Sequence, residues 1–256
     1  MAYGDPPPLV LLHGVAMSGL IWDDVVPLLS TRHRVYAPTA VGHLGGPVAL
    51  RRPATVSYQV DWVEGYLNEQ NIERAHLAGN SMGAFVAIEL ARRGRALSVS
   101  AFAPGGFWST DDASMTKTIA GVRRAVAITR LSRPIAPFLM SSAALRRLAM
   151  RNVAVHGDRL TKAAALRIVD ETIGCTVTTD VLASGDESDI ALLDPLPCPI
   201  TIAWSEKDAL VSAETHPVAQ QRIPSARFMT LKDCGHVPMI DDPRQVAHII
   251  LATTAS

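Results

Sequence analysis

The segment Ala75-His76-Leu77-Ala78-Gly79-Asn80-Ser81-Met82-Gly83 decides the fold of this 256-residue chain. Residues 75–78 are typical of a buried strand. They lead into a Gly-x-Ser-x-Gly pentapeptide, and a stretch rich in Ala, Val, Ile and Leu follows from residue 82 to residue 93. A strand that turns sharply into a helix at a serine needs small neighbours, because the two elements approach closely there. This setting predicts that Ser81 lies on strained backbone, with its hydroxyl exposed as a nucleophile.

Short apolar runs alternate with longer amphipathic stretches on both sides of this segment. Strands are predicted at residues 9–12, 34–37, 75–78, 98–103, 199–204 and 227–231. Helices are predicted at residues 19–29, 57–68 (with Ser57 as its cap), 82–93, 213–222 and 242–252. The run Leu9-Val10-Leu11-Leu12 is apolar at every position, which is typical of a parallel strand buried on both faces. The pattern therefore predicts the α/β class, with a mostly parallel central sheet flanked by helices.

The segment 109–194 differs in pattern from the rest of the chain. It is mostly helical by propensity and lies between a strand near residue 100 and a strand near residue 200. An insertion of this size above a sheet usually covers a site. We therefore expect a core domain formed by residues 1–108 and 195–256, and a helical lid formed by residues 109–194.

Composition and charge exclude several classes of function. Lys and Arg together number 24, as do Asp and Glu, so the chain lacks the basic excess of a nucleic-acid-binding protein. The three cysteines have no metal-ligand spacing, and neither a secretory signal nor an apolar run of membrane-spanning length occurs. The glycines after residue 41 do not form a dinucleotide-binding motif. We expect a cytoplasmic protein that acts on a small molecule without metal or cofactor; a homodimer is compatible with the sequence.

A serine hydroxyl needs an adjacent base, and eight histidines compete for that role. His236 is favoured because it lies in a loop after a predicted strand, at the edge of the sheet where ligands bind in open α/β folds. His13, which precedes a glycine in the turn after the first strand, is expected to brace that turn. His76 lies within a strand and is expected to be packed. Solvent exposure is expected for His33, His156, His216 and His248.

The base in turn needs a carboxylate that fixes its tautomer. Asp208 follows the strand at residues 199–204, which gives the chain order nucleophile, acid, base. Glu206 is the nearest alternative acid. Asp111 and Asp112, after the preceding strand, are weaker alternatives.

The oxyanion that forms during acyl transfer needs two N–H donors. One is expected to be the backbone amide of Met82, directly after the nucleophile. The other is expected in the turn after the first strand, where the sequence favours the amide of Val15.

These motifs resemble those of α/β-hydrolase-fold serine hydrolases with a helical lid, over nearly the whole chain. The matching pieces are His13-Gly14 with Trp22 behind it, the segment 79–83, Asp208 and Gly235-His236. The resemblance implies hydrolysis of small or medium carboxylic esters through an acyl-enzyme. Two departures are that few residues precede the first strand and that Ala40–Gly46 replaces the usual Asp-containing loop.

Asn80 and Cys234 also resemble residues of meta-cleavage product hydrolases, which split carbon–carbon bonds in vinylogous 1,5-diketones. Those enzymes usually carry a longer turn after the first strand and a Trp after the catalytic His, whereas Val237 stands here. Carbon–carbon cleavage is therefore an alternative to ester hydrolysis. A ligand receptor with slow turnover on the same fold is a second alternative.

Overall fold

A computed structural model describes residues 5–108, 113–185, 189–211 and 213–256. These residues form one sheet with six strands. The strands are β1 (Pro8–Leu12), β2 (Arg34–Tyr36), β3 (Ala75–Asn80), β4 (Ala96–Phe102), β5 (Ile200–Ser205) and β6 (Arg227–Leu231). Each observed strand overlaps a strand predicted from the apolar runs.

The strand order is β2-β1-β3-β4-β5-β6, and every pairing is parallel. Asn80 at the end of β3 is level with Phe102 at the end of β4, and Phe102 is level with Ala203 in β5. The carboxyl ends of the central strands therefore meet at one edge, which is where ligands bind in open parallel sheets.

Helices cover both faces of the sheet, and the sequence of β1 shows why. Leu9 and Leu11 belong to one buried cluster, while Val10 and Leu12 belong to the other. Side chains alternate between the faces of a strand, so an uninterrupted apolar run needs cover on each side. This confirms the predicted α/β class.

The described helices follow one another in chain order. They are α1 (Val26–Leu29), α2 (Val56–Glu69), α3 (Met82–Arg92), α4 (Ala113–Ser132), α5 (Ala136–Leu139), α6 (Ala143–Ala149), α7 (Lys162–Gly174), α8 (Thr178–Leu182), α9 (Thr215–Arg222), α10 (Pro238–Asp241) and α11 (Pro243–Thr254). Residues of α2, α3 and α9 pack on one face of the sheet, and residues of α11 pack on the other. Helices α4 to α8 lie in the chain between β4 and β5. None of the described helices is both long enough and apolar enough to cross a membrane.

Two helix predictions were wrong in detail. In place of one helix over residues 19–29, a short 3₁₀ helix (Gly19–Trp22) is followed by α1. Pro27 explains the break, because a proline fits the first turn of a helix but not its interior. The cap of α2 is Thr55 and not Ser57: the Thr55 hydroxyl accepts a hydrogen bond of 3.4 Å from the amide of Tyr58.

His156 and His216 were expected to be exposed to solvent, and both are half-buried. His33 was also expected to be exposed, and it is buried. Its ring lies edge-on to that of His76, with 5.3 Å between the ring centres. Its Nε2 atom lies 3.1 Å from the hydroxyl oxygen of Thr254, near the end of α11. The C-terminal helix therefore covers a position that its local sequence marks as polar.

Candidate active site

Ser81 lies at the junction of β3 and α3, on backbone that L-residues rarely adopt. Its φ and ψ are 55° and −115°, and such a conformation costs about 1–3 kcal/mol. A Cβ atom on Gly79 would lie 2.1 Å from the carbonyl oxygen of Gly83, and one on Gly83 would lie 2.2 Å from that of Leu12. Glycine at both positions therefore allows the close packing that holds Ser81 in this conformation.

Asp208 and His236 form a buried pair, although they lie 28 positions apart in the chain. The Nδ1 atom of His236 lies 2.8 Å from Oδ2 of Asp208, and both side chains are less than 10% exposed, at 7% and 5%. Oδ1 of Asp208 accepts hydrogen bonds from the amides of Leu210 (2.8 Å) and Val211 (3.0 Å).

The pKa of Asp208 reflects opposing effects. Burial alone would raise it, but interaction with His236 and the two amide hydrogen bonds outweigh burial and lower the pKa below its usual value. The carboxylate therefore stays ionised and faces Nδ1 of His236, which leaves Nε2 as the nitrogen available for proton transfer.

Among the described residues, no alternative acid takes the position of Asp208 beside Nδ1 of His236. Glu206 is exposed, and its Oε2 accepts a hydrogen bond of 3.0 Å from the amide of Asp233. Asp111 and Asp112 lie outside the described residues.

The sequence singled out Asn80 only because it resembles a residue of meta-cleavage product hydrolases. The structure shows which groups it contacts. It is fully buried, and its Nδ2 donates to the carbonyl oxygens of His236 (2.9 Å) and Phe102 (3.3 Å). The residue beside Ser81 is therefore tied to the backbone of His236. Its Oδ1 is buried without a partner among the described residues, and Asn80 borders the cavity described below.

Asp241 is a site residue that sequence reasoning missed. Its buried carboxylate accepts hydrogen bonds from the amides of Gly235 (2.7 Å), Val155 (3.1 Å) and His156 (2.6 Å). It thereby joins the loop that carries His236 to the segment before α7. The sequence signal that could have drawn attention to Asp241 is a carboxylate directly after the apolar run Val237–Ile240.

The turn after β1 lies directly against Ser81. A Cβ atom on Gly14 would lie 3.4 Å from both Oδ1 of Asn80 and Cβ of Ser81. Val15 follows Gly14 in this turn, and Met82 is the first residue of α3. The N–H groups of a first helical turn have no acceptor within the helix. The two amides predicted to hold an oxyanion thus belong to segments that meet at Ser81.

His13 is fixed by hydrogen bonds at both ring nitrogens. Nε2 accepts from the amide of Ala40 (2.9 Å), and Nδ1 lies 2.8 Å from the carbonyl oxygen of Gly14. Burial, together with the nearby His43, lowers its pKa to about 3. A neutral imidazole with both nitrogens engaged has no lone pair for a proton from Ser81.

A cavity of about 210 Å³ lies above Ser81 and is bordered by both Ser81 and His236. Its walls come from the turn after β1, from α4 and α7, and from the segments around α5 and α6. The lining residues are mostly apolar, and none of those described is Lys, Arg, Asp or Glu. Among the described residues, no group of three or more His, Cys, Asp or Glu side chains could hold a metal ion.

Comparison with known proteins identifies the family of this chain. The model of the alpha/beta hydrolase family matches residues 9–249. The chain belongs to this family. It is a hydrolytic enzyme, and its parallel sheet with flanking helices is the α/β-hydrolase fold.

Two individual relatives share less than 30% of their sequence with this chain. A pimeloyl-[acyl-carrier protein] methyl ester esterase of Aeromonas hydrophila subsp. hydrophila is 29% identical over 254 residues, covering 97% of this chain and 95% of the relative. Epoxide hydrolase EphH of Mycobacterium tuberculosis is 27% identical over 193 residues, covering 74% of this chain and 90% of the relative.

Among solved structures, 2-hydroxy-6-oxo-6-phenylhexa-2,4-dienoate hydrolase of Rhodococcus sp. strain RHA1 matches with a TM-score of 0.73. The match covers 99% of this chain and 92% of that one, at 17% identity. At this identity the likeness concerns the fold alone.

Proposed function

We propose that this enzyme hydrolyses small or medium carboxylic esters through an acyl-enzyme on Ser81. One observation carries the proposal: His236, held in a buried pair with Asp208, borders the same uncharged, largely apolar cavity as a serine on strained backbone. A neutral ester with an apolar group suits such a cavity, whereas a charged substrate would find no opposite charge among the described lining residues.

The proposed reaction has two halves. Ser81 Oγ attacks the ester carbonyl while His236 Nε2 takes its proton, and the amides of Val15 and Met82 hold the oxyanion. The carbon–oxygen bond to the alcohol then breaks, and the alcohol leaves with the proton from His236. Water, deprotonated by His236, then attacks the carbonyl carbon of the acyl-enzyme. The carbon–oxygen bond to Ser81 breaks, the acid is released, and His236 returns the proton to Ser81 Oγ. Asp208 holds the His236 tautomer throughout.

We also propose that residues 109–194 are a lid over the core domain formed by residues 1–108 and 195–256. Support comes from the cavity, because residues of α4 and α7 line it together with Ser81. A lid of this kind excludes water from the reacting ester.

Covalent labelling tests the nucleophile. A fluorophosphonate probe should label the protein once, and Ser81→Ala should abolish the labelling, because only an activated serine reacts at an appreciable rate. Ser132→Ala is the matched control, since Ser132 borders the same cavity. Labelling that persists in the Ser81 variant would refute the assignment.

Turnover separates the enzyme from the slow receptor. p-Nitrophenyl acetate or butyrate should be hydrolysed many times per active site. A single burst followed by arrest would favour a receptor on the same fold. Methyl esters belong in the substrate panel, because the name of the Aeromonas relative describes a methyl ester.

Carbon–carbon cleavage is the second candidate, favoured by the resemblance of Asn80 to a residue of meta-cleavage product hydrolases. Its substrate carries a carboxylate, which needs a cationic partner. Four arginines of the proposed lid could supply that charge, but none of them borders the cavity: Arg123, Arg124 and Arg147 are exposed, and Arg146 donates to the carbonyl oxygen of Met140 (2.9 Å). Burial raises the pKa of the Cys234 thiol to about 12, which leaves it unreactive. Rapid bleaching of a yellow meta-cleavage dienolate, with slower ester turnover, would reverse this preference.

A further inference from the structure

A second, smaller cavity of about 70 Å³ shares lining residues with the first. Ser81, Val15 and Val122 border both cavities. The nucleophile therefore borders both compartments.

The two compartments differ in which site residues they contain. His236 borders the larger cavity and not the smaller, whereas Met82 borders the smaller and not the larger. The smaller cavity is otherwise mainly apolar. Its walls include Phe85, Trp108, Ile119, Val181, Leu182 and Val211.

Ester chemistry assigns a role to each side. When the tetrahedral intermediate collapses, the alcohol oxygen takes the proton from His236, so this oxygen must lie within hydrogen-bond reach of that ring. The alcohol group must then extend into the cavity that His236 borders. The acyl group is bonded to the same carbon and must extend away from the alcohol, which leaves the smaller cavity for it.

Deacylation imposes the same arrangement. The attacking water must also contact His236, and it can enter the larger cavity once the alcohol has left. An acyl chain that filled the larger cavity would occupy the space that this water needs.

We propose that the smaller cavity is the acyl site and the larger cavity is the alcohol site, so that the enzyme prefers esters of a short acid with a longer, apolar alcohol. Ile119 limits the length of the acyl group. This assignment rests on the proposed ester hydrolysis, and it adds the substrate class.

Two isomeric esters test the assignment without changing composition or hydrophobicity. Hexyl acetate and ethyl hexanoate share one molecular formula and differ only in which side of the ester carries the long chain. We expect kcat/KM for hexyl acetate to exceed that for ethyl hexanoate at least tenfold. Equal values, or a preference for ethyl hexanoate, would overturn the assignment.

Two variants on the same helix provide the matched comparison. Ile119 lines only the acyl side and Ile128 only the alcohol side, and neither is fully buried, so both isoleucine-to-alanine variants should fold. Ile119→Ala should reduce the ratio of the two isomers at least threefold by admitting a longer acyl group, and Ile128→Ala should not reduce it. The reverse pattern would overturn the assignment. If wild type hydrolyses neither isomer nor p-nitrophenyl butyrate, the proposed ester hydrolysis itself fails, and the assignment fails with it.

Discussion

The two oxygens of Asp208 face different partners, and this makes one substitution informative. Oδ2 faces His236, while Oδ1 accepts from the backbone amides of Leu210 and Val211. An asparagine can keep the backbone contacts through its carbonyl oxygen. Its amide nitrogen then faces Nδ1 of His236 and, being a donor, favours the tautomer whose proton is on Nε2.

We therefore expect Asp208→Asn to lower kcat on p-nitrophenyl butyrate by about three to four orders of magnitude, with little change in the urea midpoint of unfolding. Glu206→Gln is the control, because Glu206 is exposed and its carboxylate accepts a hydrogen bond from the backbone amide of Asp233, which a glutamine oxygen can keep. It should leave kcat nearly unchanged. A large effect of Glu206→Gln with a small effect of Asp208→Asn would exchange the two roles.

Some residues of the candidate site can be predicted from the sequence, and others cannot. Ser81, Asp208 and His236 each follow a strand, so the parallel topology alone predicts that they share one edge of the sheet. Asn80 and Asp241 act by hydrogen bonds to backbone groups up to 156 residues away in the chain. Backbone partners leave no trace in the sequence, so these contacts could be found only in three dimensions.

At the scale of elements, the packing of α3 against β3 and β1 depends on two glycines. A Cβ atom on either would meet a backbone oxygen at 2.1–2.2 Å, and backbone cannot move aside as the end of a side chain can. We expect Gly79→Ala and Gly83→Ala each to lower the free energy of unfolding by more than about 2 kcal/mol in urea titrations.

Gly65, in the middle of α2, has free space where a side chain would lie, in contrast to Gly79 and Gly83. A Cβ atom there would meet nothing within 4 Å. Gly65→Ala should therefore raise the free energy of unfolding by about 0.5–1 kcal/mol, through helix propensity alone. Equal effects at all three positions would show that propensity, and not close packing, controls the junction.

Element boundaries show where local patterns fail. The strands follow from apolar runs because each is buried on both faces. The break after Trp22 follows from Pro27, which the spacing of apolar residues does not take into account. The burial of His33 depends on a contact from outside the segment, with Thr254 near the end of α11. Periodicity within a window of sequence does not register such contacts.

At the scale of the whole molecule, neutral histidines couple stability to pH. Burial lowers the pKa of His13 to about 3 and that of His76 to about 4, and it also lowers the pKa values of His33 and His216. One carboxyl acts in the opposite sense, because burial raises the pKa of Glu171.

The sign of the effect follows from proton binding. Below a pH of about 6.5 the unfolded chain binds protons at these histidines, while the folded chain does not until the pH approaches their lowered pKa values. Their contribution to stability is therefore complete above pH ~6.5 and is lost progressively as the pH falls towards 4 and then 3. His13 alone should remove about 2 kcal/mol of unfolding free energy between pH ~7 and pH ~5.

We expect urea unfolding to show this loss in a pH range where most carboxylates remain ionised. His76→Gln should make the pH dependence shallower, because it removes one group whose pKa differs between the folded and unfolded states while a hydrogen bond to Ser98 can be kept. His248→Gln should leave the dependence unchanged, since His248 is exposed on α11. A free energy of unfolding that is constant between pH ~7 and pH ~5 would contradict the neutral state of the buried histidines, and with it the neutral His13 that holds the turn beside Ser81.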